Sequence, residues 1–209
     1  MSNETHASIM RRVTSAYLQA FEHLLQRIDV EAIQRIARRL DWARDTGAVI
    51  YVAGNGGSAA IASHWVNDLC KATKRSGSPP MRVMSLSDNV SWLTALANDE
   101  GYERVFSGQL ENFARSGDLL VVISSSGNSA NLLRAVELAQ ARRVFTIGFL
   151  GFDGGILRHK VDDYLWVPTE RGAYGLVEPA HEMICHILTA CLAEIRSSSE
   201  PTNRAALPA

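Results

Sequence analysis

Ala48-Val49-Ile50-Tyr51-Val52-Ala53 is an unbroken apolar run that stops abruptly at Gly54-Asn55-Gly56-Gly57-Ser58. So short a run, lacking polar alternation and bounded by glycine, reads as a buried strand that hands over to a helix through a tight turn. Further strand candidates are Met81 to Leu86, Leu119 to Ser124, Val144 to Phe149 and Asp163 to Val167, with intervening segments that can hold helices. That alternation predicts an α/β fold built on a doubly wound, five-stranded parallel sheet. Ligands bind such sheets beyond the carboxyl ends of the strands, which directs attention to the loops after Ala53 and Ile123.

Upstream of this strand, Val13, Tyr17, Phe21, Leu24, Leu25 and Ile28 recur every three or four positions and predict an amphipathic helix from Ile9 to about Ile28. Asp29 interrupts the pattern. A second helix follows on Ile33, Ile36, Ala37, Leu40 and Ala43, and Gly47 closes it. At the other end, residues 197–209 hold Ser, Pro, Asn and Ala without periodicity and read as a mobile tail. The expected organisation is one domain over residues 1–196, including the N-terminal helical hairpin, followed by that tail. A length of 209 residues with 46% apolar and 21% charged content suits a single substantial core.

The 21 Lys and Arg against 22 Asp and Glu leave a net charge of -1, which provides no global field to gather nucleic acid or an anionic membrane. Neither partner is expected, and any recognition of anions must be local. No apolar run approaches the length of a membrane span. Cys70, Cys185 and Cys191 lack the close spacing of a metal clip or redox pair and fit a reducing cytosol. The polar start, Met1 to Ser8, shows no secretory-signal pattern, so the expected location is cytoplasmic.

Chemistry concentrates in two loops. In Gly54 to Ser58 the glycines let backbone amides face a ligand, and Ser58 can cap the helix that follows. Taken alone, this loop is better read as a tight turn whose glycines serve only its shape. A second loop, Ser124-Ser125-Ser126-Gly127-Asn128-Ser129, again links an apolar strand to a helical pattern, here Leu132, Leu133, Val136 and Leu138-Ala139. Hydroxyls and unpaired amides at a helix N-terminus favour phosphate, because the free N–H groups and the helix dipole both point at it.

His64 and Asp68 lie four apart on the helix after the first loop and share one face. Glu178, His181, Glu182 and His186 fall in the last helical pattern, with Glu178 before Pro179 at its expected start. Imidazole and carboxylate are ordinary ligands of a divalent metal. Such spacing is more often a polar helix face than a site, for either group, so local geometry leaves the ligand choice open.

In combination the motifs are more specific: GNGGS at Gly54 to Ser58, His64, AND at Ala97 to Asp99, SSSGNS at Ser124 to Ser129 and DGG at Asp153 to Gly155. Their order and spacing resemble the SIS (sugar isomerase) family, and within it the phosphoheptose isomerases, over roughly residues 10 to 195. The resemblance implies a flavodoxin-like strand order and conversion of sedoheptulose 7-phosphate to D-glycero-D-manno-heptose 7-phosphate. By position it assigns the substrate to Asn55, Gly56, Gly57, Ser58, Asp68, Asn98, Asp99, Ser124, Ser125, Ser126, Ser129 and Glu178, with the serines taking the phosphate. It places one Zn²⁺ among His64, Asp68, Glu178 and His186. The family commonly has Glu where Asp68 stands and Gln where Glu178 stands. The shorter carboxylate must sit closer to its target, and the added charge at 178 favours a dication but repels an anionic enediolate.

An aldose-ketose isomerase moves a proton between neighbouring carbons through an enediolate. The expected roles are acid and base for Asp68 and His186, with the metal stabilising the oxyanion and the serines fixing the phosphate. Two alternatives stand beside this reading. One is an isomerase of a different, longer sugar phosphate, and the other is a non-catalytic sugar-phosphate-binding relative of the kind that associates with a replication initiator. The N-terminal helices carry apolar stripes on more than one face, so association is expected. The resemblance implies a homotetramer with sites at subunit boundaries.

Overall fold

A computed structural model of the chain describes residues 5–75 and 77–195, and the expected tail at 197–209 lies outside them. Seven α-helices and five strands alternate in the described residues: α1 (His6–Leu25), α2 (Val30–Thr46), β1 (Val49–Gly54), α3 (Gly57–Lys71), β2 (Arg82–Ser85), α4 (Val90–Asp99), α5 (Ser107–Phe113), β3 (Leu119–Ser124), α6 (Ala130–Ala141), β4 (Phe145–Leu150), β5 (Asp163–Trp166) and α7 (Tyr174–Ile195). Short 3₁₀ turns at Tyr102–Arg104 and Leu157–His159 complete the connections.

Local stereochemistry sets the helical ends. Asp29 Oδ1 accepts from the Glu31 and Ala32 amides at 2.9 and 3.0 Å and so starts α2. Gly47, at φ 72°, ends it in the left-handed conformation that glycine adopts without a Cβ clash. α1 stops at Leu25 instead of running to Ile28, because Arg27 and Ile28 donate to the carbonyls three residues back and tighten the chain into a turn.

The strands pair in parallel in the order β2-β1-β3-β4-β5, the flavodoxin-like arrangement. Side chains alternate between two apolar layers. Ile50, Val52, Leu119, Val121, Ile123, Ile147, Phe149 and Leu165 pack with α2, α3 and α7. Tyr51, Ala53, Leu120, Val122 and Leu150 pack with α4, α5 and α6. A sheet covered on both faces requires apolar residues at successive positions, and β3 is buried along its whole length. Replacing one such side chain, as in Leu120→Ala, costs about 2–5 kcal/mol.

The order reverses between β1 and β3, so the helix after β1 lies on one face and the helix after β3 on the other. Gly54 is in register with Ile123, which opens the two Gly- and Ser-rich loops side by side at the switch point. No described helix is long and apolar enough to cross a membrane.

Candidate active site

The first loop is shaped by close approach. A Cβ on Gly54 would lie 2.6 Å from the Ser58 carbonyl oxygen, so only glycine lets α3 fold back against the end of β1. Ser58, expected to cap α3, instead lies inside its first turn, buried, with its amide donating to the Asn55 carbonyl at 3.0 Å. The cap position is Gly56, whose φ of 54° lets the chain enter the helix earlier and leaves its N-terminus without a side-chain cap. Over that terminus lies Glu178 of α7: a Cβ on Gly57 would meet its Oε2 at 2.5 Å. A carboxylate at a helix N-terminus is favourably placed by the helix dipole.

The second loop is held by its own hydroxyls and by the DGG segment. Ser124 Oγ accepts from the Gly127 amide at 3.0 Å, and Ser126 Oγ accepts from the Asn128 amide at 3.3 Å. Gly127 adopts φ 65°, and a Cβ there would fall on the Gly154 carbonyl. Asn128 Oδ1 accepts from the Ile156 amide at 3.0 Å, tying the loop to the segment after β4. Ser129 occupies the cap position of α6, yet its side chain makes no capping bond. The Leu132 amide is taken by Asn131 Oδ1, which leaves the two leading amides of α6, Ala130 and Asn131, and the serine hydroxyl hydrogens for an anion.

Both loops line one cavity of about 200 Å³, which includes Asn55, Ser58, Ser124, Ser125, Ser126, Ser129, Tyr174 and Glu178. Asn98 and Asp99 end α4 and are engaged with each other, Asn98 Nδ2 donating to Asp99 Oδ1 at 2.7 Å. Neither is among the residues lining that cavity. The 3₁₀ turn after them brings in Tyr102, whose hydroxyl donates to Asn55 Oδ1 at 3.0 Å. Tyr102 and Asn131, which pairs with Asn55, were not singled out in the sequence. Asn131, two residues beyond Ser129 in the SSSGNS helix start, was the available signal.

α3 and α7 pack together and bring the titratable groups into one cluster. Asp68 Oδ2 lies 3.4 Å from His64 Nε2 and 3.1 Å from His186 Nδ1. The two rings meet edge to face with centroids 5.1 Å apart. Donor atoms of His64, Glu182 and His186 all lie within 4.8 Å of one another, a group able to hold a divalent metal. The structure thus brings His64, Asp68 and His186 together with Glu182, while Glu178 lies in the serine cavity. The expected start of α7 at Glu178 is corrected to Tyr174, so Pro179 sits within the helix. Proline has no N–H for the Gly175 carbonyl four residues back, and the Tyr17 hydroxyl of α1 donates to that carbonyl instead.

His181, beside Glu182, faces the core. It is fully buried, and burial pushes its pKa down to about 4. Neither ring nitrogen makes a hydrogen bond of normal geometry, though the nearby Leu150 backbone opposes the shift in part.

Residues 16–151 match the SIS domain family model. A phosphoheptose isomerase of Trichlorobacter lovleyi is 35% identical over 182 residues, covering 86% of this chain and 91% of the relative. That of Nitratiruptor is 41% identical over 145 residues, covering 69% and 76%. The solved structure of a phosphoheptose isomerase from Neisseria gonorrhoeae superimposes with a TM-score of 0.80 at 31% identity, covering 89% of this chain and 99% of that one. Sheet order, paired loops and similarity along most of the chain agree that it belongs to the SIS-domain family, on the branch of the phosphoheptose isomerases.

Proposed function

We propose that the chain is an aldose-ketose isomerase that converts sedoheptulose 7-phosphate to D-glycero-D-manno-heptose 7-phosphate through an enediolate. One observation carries the reading: α7 contributes Glu178 to the serine cavity and Glu182 and His186 to the His64–Asp68 cluster, so phosphate cradle and titratable groups flank one helix. The relatives named above extend it to the heptose substrate.

Two imidazoles with adjacent carboxylates form a donor set suited to zinc among the divalent cations. When bound, the cation supplies positive charge against the oxygen that becomes anionic in the enediolate. The serine hydroxyls and the α6 amides hold the phosphate and so fix the position of the reacting carbons. Asp68 and His186, in contact at 3.1 Å, share the proton that leaves one carbon and returns to its neighbour. Glu178, at the cavity wall, faces the sugar as a hydrogen-bond acceptor.

The protein is proposed to work as a homotetramer with sites at subunit boundaries. Half-exposed His64, Glu182 and His186, together with the uncovered apolar residues of α1, support that assembly. A reducing, cytoplasmic setting suits its three free cysteines. The near-neutral charge balance supports no nucleic-acid partner.

The test is turnover of sedoheptulose 7-phosphate by purified protein as isolated, with added zinc and after chelation, following the aldose product. Metal-dependent product is expected. Tight sugar-phosphate binding without product would replace this reading by the binding role, and product only from another sugar phosphate would reassign the substrate.

A further inference from the structure

The two loops lining the cavity are joined by a pair of amides. Asn55 Nδ2 donates to Asn131 Oδ1 at 3.0 Å, and Asn131 Nδ2 returns a bond to Asn55 Oδ1 at 2.8 Å. Asn131, in the first turn of α6, is 2% exposed, and its Oδ1 also accepts from the Leu132 amide at 2.9 Å. The backbone bond fixes which end of the Asn131 amide is oxygen, since a flipped amide would set NH₂ against N–H. Asn131 in turn fixes Asn55. With Tyr102 donating to the same Asn55 oxygen, both lone pairs of that oxygen are engaged. Asn55 therefore keeps one uncommitted polar atom, the second hydrogen of Nδ2, at the wall of the cavity.

Resting on the isomerase reading, we propose that Asn131 and Tyr102 are positioning residues. They fix the gap between the two cradles and present the Asn55 amide to the sugar as a donor only. The ligand atom it recognises is consequently an acceptor, a carbonyl or hydroxyl oxygen of the sugar and not its phosphate, which the serines hold. Asn131 acts through Asn55, and Tyr102 carries the brace to the turn that follows Asn98 and Asp99.

The experiment compares wild type with Tyr102→Phe and Asn131→Asp, measuring kcat, KM and the calorimetric affinities of sedoheptulose 7-phosphate and of inorganic phosphate. Asn131→Asp keeps the acceptor for Leu132 and Asn55 but removes the donor to Asn55. For Tyr102→Phe, the loss of one hydrogen bond should weaken sedoheptulose 7-phosphate roughly three- to tenfold and lower kcat, with phosphate affinity and melting temperature unchanged. Asn131→Asp should have the larger effect in the same direction. A brace serving only stability would lower the melting temperature and leave the ratio of the two affinities at its wild-type value, and that outcome overturns the proposal. If Asn131→Asp does not fold, Tyr102→Phe decides alone. Should wild type bind sedoheptulose 7-phosphate without turning it over, the isomerase reading fails while the affinity ratio still judges the brace. Wild type binding neither ligand refutes both.

Discussion

Asp68 is the hinge of the titratable cluster, because both histidines reach the same carboxylate oxygen. Asp68→Asn keeps the shape and removes the basicity. Its kcat should fall about 10²- to 10⁴-fold, with inorganic phosphate affinity within threefold of wild type by calorimetry; a fully active Asp68→Asn enzyme would remove it from the chemistry. His181 makes a different prediction. Its folded-state pKa of about 4 lies below its ordinary 6.5, so between those values the unfolded chain binds a proton that the folded chain does not. Stability on this account is intact above pH 6.5 and declines as pH falls towards 4, by about 3 kcal/mol in all. Urea unfolding at pH 7 and pH 5 should show a smaller loss for His181→Leu than for wild type, and equal losses would refute the assignment. At this scale residue type marked His64, Asp68 and His186 as candidates among several, and only the family resemblance selected them. Neither revealed Asn131, whose role depends on a partner 76 positions away.

The elements were most legible where local stereochemistry decides. Asp29 and Gly47 bound α2 through a side-chain bond and a positive φ, both properties of the single residue. Ser58 misled because its cap preference yielded to Gly56, whose conformation moved the start of α3 forward. Glu178 misled similarly: proline usually marks a helix start, but here α1 supplies the donor that Pro179 lacks and α7 begins earlier. The second loop gives the prediction at this scale. Gly127→Ala meets both a positive φ and the Gly154 carbonyl, whereas Gly117→Ala meets a φ of 91° with nothing within 4 Å. The Gly117 variant should lose only about 1 kcal/mol and bind phosphate normally. The Gly127 variant must displace the DGG segment and should lose phosphate affinity more than tenfold by calorimetry. Equal binding by both would mean that the loop yields freely.

Considered whole, the chain leaves α1 largely uncovered: Met10, Val13, Tyr17 and Leu18 are 45–62% exposed on a helix whose buried residue is Leu24. Apolar residues in this density call for a partner surface, and a second copy of the chain presents the same one. Light scattering after size exclusion should give four times the chain mass of 22.9 kDa, and Val13→Asp with Leu18→Asp should give smaller species. A wild-type monomer would refute the assembly. The parallel sheet and its layers were readable from the spacing of apolar runs and the strand order from the family resemblance, while nothing in a single sequence states how many copies meet.

The tie between Tyr17 and Gly175 spans 158 positions and joins helices at opposite ends of the described chain. α7 also supplies Ala180, Ile184, Leu188 and Leu192 to the layer over Ile50, Val52 and Val121. During synthesis, that face of the sheet is covered only in part, by α2 and α3, until α7 leaves the ribosome, and α1, the first helix made, waits for its hydrogen-bond acceptor. Contacts this distant in sequence slow folding and prolong exposure to aggregation. A ribosome stalled before Tyr174 should therefore hold a nascent chain that remains protease-sensitive and chaperone-bound, with one helical layer over its sheet incomplete.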